Sequence, residues 1–175
     1  MIKEEIQQLL QDKHHELFTL LLQNSNEFWM KNVEQKWTVG QHVLHLYTSI
    51  KLVNKALKYP KLILKFKFGV SNRPSRTYEH VVKRYQEKLV QYQDKAQEFN
   101  QHLRIPEMNE KDKLISQLSI ENKKLQKATH IWSDKNLNTL LIPHPLMGKM
   151  TVREIIMWTA YHTEHHTRII QEYYT

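Results

Sequence analysis

Eleven of the 175 residues are histidine, and five of them fall where helices can bring them together. His42 and His45 form one group; His162, His165 and His166 form the other. At about 100° per residue, Ile155, Thr159, His162, His166, Ile169 and Tyr173 share one stripe, the side expected to face a helical core. His162 and His166 are one turn apart on it, so two imidazoles can grip one ion. His165 lies off the stripe, beside Tyr161, Arg168 and Glu172, on a side that reads as solvent-facing. A lone inward histidine is more often a satisfied core residue than a ligand. Two of them a turn apart are harder to bury, because their ring nitrogens need partners. The pair alone leaves metal and packing evenly weighted, and a third histidine from another helix tips the balance towards metal. Measured from Val39, Val43, Leu46 and Ile50, His42 lies nearer the apolar centre than His45, and both are within reach of a site at the edge of a bundle. His14, His15, His80, His102, His130 and His144 are scattered and receive no role.

Three neutral imidazoles would leave a divalent ion with open positions, as in catalytic zinc sites. Zn²⁺ is the first expectation; Ni²⁺, Fe²⁺ and Mn²⁺ also suit nitrogen ligands. Such an ion acidifies bound water, giving hydrolysis, or a small thiol, giving transfer to an electrophile. The chain has no cysteine. Thiolate metal sites and disulfides are excluded, and any thiol must arrive as a cosubstrate. Glu164 is two residues from each of His162 and His166, so it points elsewhere on the helix, and no general base stands out. Trp158 and Tyr161 are placed to line the mouth of the site, with core packing the favoured role for Trp158. The non-catalytic alternative is a metal-stabilised bundle serving as a binding or interaction module.

The elements that must position these residues are helical. Ile6, Leu9, Leu10, Leu17, Leu20 and Leu21 predict a first helix over about Lys3 to Asn24. Ser25 to Lys36 connects it onward, with Phe28 and Trp29 packed. Thr38 caps the helix of His42 and His45, with Gln41 completing a capping box. Pro60 to Pro74 reads as an irregular covering segment; Lys61 to Val70 has strand propensity but no visible partner. Ser75 or Thr77 starts a long polar helix carrying Val81, Val82, Tyr85, Leu89, Tyr92 and Phe99, which Pro106 ends or kinks. A further helix runs from about Asn109 to Trp132 on Leu114, Leu118, Leu125 and Ala128, weakly patterned around Ser119, Glu121 and Asn122. Pro143, Pro145 and Gly148 mark a turn. Thr151 then caps the last helix, with Glu154 as a second capping box, running to about Tyr173.

The expected fold class is all-α: a four-helix bundle with one extra helix or an irregular insertion, forming a single domain over 1–175. Three glycines leave little room for hairpins or phosphate-cradling loops. The formal charge is +8, but the lysines are dispersed, which favours a solvated basic surface over nucleic-acid binding. No apolar run approaches the ~18 residues of a transmembrane helix, and the acidic, amphipathic start is no signal peptide. A cytoplasmic protein without a membrane partner is expected.

Three segments resemble the DinB/YfiT-like superfamily. Trp37-Thr38-Val39-Gly40-Gln41-His42-Val43-Leu44-His45-Leu46 is similar to the opening of that family's second helix, where a metal histidine follows the tryptophan by eight residues. His144-Pro145-Leu146-Met147-Gly148-Lys149-Met150-Thr151 resembles the turn before its last helix. His162-Thr163-Glu164-His165-His166 resembles its closing HxxHH run, whose first and last histidines bind metal. The resemblance implies the ligand set His45, His162 and His166, choosing His45 where periodicity leans to His42. It also implies a four-helix bundle, dimeric in many members. Known activities in the superfamily include bacillithiol S-transfer and mycothiol-dependent maleylpyruvate isomerisation, and other members are described as metal-dependent hydrolases. A small-molecule substrate, a low-molecular-weight thiol among the candidates, and a homodimer are what that likeness implies. Residues 59 to 109 carry no recognisable part of it.

Overall fold

The computed structural model describes residues 1–34, 36–92 and 103–175. Four long helices make the bundle: α1 (Lys3–Gln23), α3 (Val39–Leu57), α6 (Lys111–Ile131) and α8 (Val152–Tyr174). α1 and α3 each pack against both α6 and α8, so the four form a ring around one apolar core. Ile6, Leu10, Leu17 and Leu21 of α1 meet Leu118 and Leu125 of α6 and Ile50 of α3 there, all buried. Shorter elements dress this frame: α2 (Asn26–Met30), α4 (Lys61–Phe68), α5 (Tyr78–Gln91), α7 (Asp134–Thr139) and a hairpin of β1 (Leu141–His144) and β2 (Gly148–Thr151). No helix among the described residues is long and apolar enough to cross a membrane.

The two expected capping boxes form. Thr38 Oγ1 accepts from the Gln41 amide while Gln41 Oε1 accepts from the Thr38 amide; Thr151 and Glu154 do the same at α8. Both histidine-bearing helices thus begin at a residue fixed by its own side chain. Glu154 is fully buried and is also gripped by the guanidiniums of Arg73 and Arg76, which ties the segment before α5 to the start of α8.

Some expectations are corrected. The segment from Pro60 to Pro74 is not irregular throughout: Lys61–Phe68 is helical, seated by the buried Leu64 and ended at Gly69 with φ 87°. Its alternating lysines and apolar residues imitate a strand only because Leu62, Ile63 and Phe66 stay exposed. Few glycines do not preclude a hairpin. One glycine suffices, because Gly148 takes φ 71° directly after the Pro145-Leu146-Met147 loop. Of the long polar helix, Thr77 is the cap, and Val81 and Tyr85 are buried; Phe99 lies outside the described residues. The weakly patterned middle of α6 faces inward after all. There Asn54 donates to the Glu121 carboxylate and carbonyl, and Asn122 donates to the Leu10 carbonyl.

Candidate metal centre

α3 and α8 lie side by side in the ring, and their facing surfaces bring the histidines together. His45 Nε2 lies 3.1 Å from His162 Nε2, and His162 Nε2 lies 3.1 Å from His166 Nε2. The three ligand-capable nitrogens all fall within 4.8 Å of one another. His162 and His166 are buried, and His45 is half-buried. His42 is the more deeply buried residue of its pair, as periodicity suggests, yet it is absent from the triad. It turns its Nδ1 to the far nitrogen of His166, 2.8 Å from His166 Nδ1. A residue at the centre of an apolar stripe reaches behind the site, whereas one at its edge reaches the site itself.

The donor chemistry suits a cation. Burial pushes His45 down to about 4 and His42 to about 3, and holds His162 and His166 well below the usual imidazole value; neighbouring histidines add to the effect. All four are therefore neutral at pH 7, with lone pairs available. Three Nε2 atoms crowd one point, and a neutral imidazole carries only one ring proton. A cation accepts all three lone pairs at once, which hydrogen bonds within the triad do not. An ion taking the Nε2 lone pair of His166 would leave that ring's proton on Nδ1 to be donated to His42 Nδ1, the backing that metal-bound histidines commonly have. His42 would then hold its own proton on Nε2, an atom sealed without a partner.

Aromatic rings fix the triad laterally. Trp158 stacks on His162 with centroids 4.5 Å apart and planes 20° apart, and Trp37 lies parallel to His166 at 6.0 Å. Trp37 is itself held from behind, where the Tyr174 hydroxyl donates to its carbonyl. The triad forms part of the wall of a cavity of about 1260 Å³. Trp158 is thus both buried and at the site. Tyr161 turns away and accepts from the Gln86 side chain. His165 lines the cavity without joining the triad. Its side of α8 is not simply solvent-facing, because α5 packs there and buries Tyr161. Glu164 points away from the triad, to Lys13 at 3.3 Å and to Arg168.

Sequence reasoning missed His144, which is buried beside Trp158 at 4.3 Å between centroids. The His-Pro step in the turn was its only signal. It also missed Tyr85, whose ring stands edge-on to Trp158 at 5.8 Å.

Fold and site together define a helical bundle whose second and last long helices assemble a three-histidine cluster able to hold a metal ion. The family model of the DinB superfamily matches residues 5–170, and the chain belongs to that superfamily. Searches among curated proteins and among solved structures give no match.

Proposed function

We propose that the chain is a metal-dependent enzyme in which His45, His162 and His166 hold a divalent ion, Zn²⁺ in the first instance, for the transfer of a small thiol to an electrophile. The observation that carries this reading is the opening of the triad onto the cavity. No fourth histidine or carboxylate among the described residues joins the cluster, so the ion keeps a position for a ligand from the cavity side. A purely structural ion is expected to be closed by four protein ligands. The ion would supply Lewis acidity, which lowers the pKa of a thiol that reaches it.

Thiol transfer is favoured over hydrolysis by what surrounds the site. Among the described residues, Glu172 is the one carboxylate in the cavity wall, and it is exposed at the rim. Glu164 is engaged by Lys13 and Arg168. Activation of water is commonly assisted by a positioned carboxylate base, whereas a thiol with a lowered pKa is already a nucleophile. The residues of the chain orient: Trp37 and Trp158 hold the imidazoles, and the apolar lining receives the body of the electrophile.

The test pairs the zinc-loaded protein with a panel of low-molecular-weight thiols and a chlorinated dinitroaromatic acceptor, following thioether formation. Metal-dependent conjugation with at least one thiol, lost on chelation and restored by metal, is the expected result. Equal rates with metal-free protein would remove the ion from the mechanism. Metal-dependent ester hydrolysis without any thiol would move the reading to the hydrolase branch.

A further inference from the structure

His144 closes the β1–β2 turn with its own ring. The backbone N–H groups of Leu146 and Met147 both donate to His144 Nδ1, each at 3.1 Å. Two donors on one ring nitrogen require that nitrogen to be the unprotonated one, so the proton resides on Nε2. Burial also pushes the imidazole down to about 4, so at neutral pH the ring has one proton in one place. Nε2 hydrogen-bonds to nothing among the described residues. Nor is it one of the sealed unpartnered polar atoms, which are His42 Nε2, Arg84 Nε, Asn122 Oδ1 and Trp158 Nε1. His144 lines the same cavity as the triad, and Trp158 stands between it and His162.

The rest of the wall limits what can sit there. Leu52, Val53, Ile142, Leu146, Ile155 and Ile169 are apolar. The charged residues among the described lining are Lys36, Lys55 and Glu172, all exposed. Away from the triad and the ion proposed there, a ligand buried against this wall finds no charge to pair with, and burying an unpaired charge is costly. It does find the His144 N–H, whose direction the turn fixes, a ring's width from the triad.

We propose that His144 is a substrate-contacting residue whose Nε2–H donates to the substrate, and that the cavity takes an uncharged, largely apolar molecule bearing an oxygen acceptor such as a carbonyl or nitro group. This rests on the reading of the cavity as the substrate site. The donor orients the electrophile across Trp158, leaving its apolar body against the aliphatic wall.

The experiment compares 2-acetylnaphthalene with 2-ethylnaphthalene, which differ in the carbonyl, by calorimetric titration into the full-length protein in zinc-loaded and metal-free forms. His144→Asn is the discriminating variant. Its Oδ1 can still accept from Leu146 and Met147, while its Nδ2 takes the place of ring Cδ2 and falls a bond short of the Nε2 position. The ratio of ketone to hydrocarbon affinity should fall about fivefold in His144→Asn, the loss of one net hydrogen bond. Long-range nitrogen NMR of the wild type should place the His144 proton on Nε2 and show that resonance shifting on addition of the ketone and not of the hydrocarbon, which tests the contact even if the variant fails to fold. An unchanged ratio, binding of neither probe, or a proton on Nδ1 would overturn the proposal. The expected fall in the ratio, seen in a protein that binds no zinc, would sink the metal reading alone. Normal zinc binding with an unchanged ratio would sink this one alone.

Discussion

At the scale of single residues, the site is a set of histidines kept neutral by burial, and that has a consequence for stability. His14, His42, His45 and His144 all titrate below the ordinary imidazole value, from 6.5 down to about 4, 3, 4 and 4 respectively, with desolvation the leading cause. Below pH ~6.5 the unfolded chain takes up protons that the native chain refuses. The stability these groups contribute is therefore complete above that pH and is lost as pH falls towards 4 and 3. One such histidine costs about 2 kcal/mol between pH 6.5 and 5. For a chain of this size that is roughly 4–8 °C in melting midpoint. The metal-free protein should lose at least that much between pH 7 and pH 5 in thermal melts; an unchanged midpoint would mean these imidazoles are not held neutral. The same scale shows what a sequence conveys about a site. His162 and His166 are legible because both lie on one stripe of one helix. Periodicity does not settle the choice between His42 and His45, which rested on the family resemblance, because burial and ligand geometry pull apart there: the buried one backs His166, and the half-buried one joins the triad.

At the scale of elements, the start of α3 shows how a short stretch is built around a close contact. A Cβ on Gly40 would lie 2.8 Å from the Trp29 indole, which is fully buried and donates its Nε1–H to the Glu107 carbonyl. Gly40 thus lets α2 dock on the very turn that sets the direction of His42 and His45. Gly40→Ala should destabilise the protein by about 1–3 kcal/mol through overpacking, despite the better helix propensity of alanine, and chemical denaturation would measure it. A gain in stability would show that Trp29 can move aside. Element boundaries marked by side-chain caps, at Thr38 and Thr151, were readable in the sequence because the cap is local. The strands either side of the marked turn and α4 were not, because each is settled by a tertiary partner; α7 does have a local cap, the Ser133 hydroxyl accepting from the Asn136 amide, but with Leu137 as its one buried residue it shows no apolar stripe. Val70 bridges Leu140, the Ser71 amide donates to the Thr139 carbonyl, and Lys149 reaches the Phe68 carbonyl. α8 was legible only in part. From Val152 to Glu164 it is buried on every side, so a single apolar stripe understates what it touches.

At the scale of the whole molecule, the bundle joins two helices distant in sequence at one cluster, and the shorter elements build a cavity over it. The charge of +8 leaves the site untouched, since the cavity's described lysines lie at its rim. Net charge therefore carried no information about the chemistry, whereas the histidine count and the lack of cysteine did. The central claim is that His45, His162 and His166 hold one ion between α3 and α8. The measurement that tests it most directly is the zinc content per chain, by elemental analysis, after loading and exhaustive dialysis of the wild type and of His42→Ala, His45→Ala, His162→Ala, His165→Ala and His166→Ala. The account predicts one ion per wild-type chain, retention in His165→Ala, weakened retention in His42→Ala, and loss in each of the other three. A wild type that retains no ion, or a His45→Ala protein that keeps its zinc while His42→Ala loses it, would contradict the account.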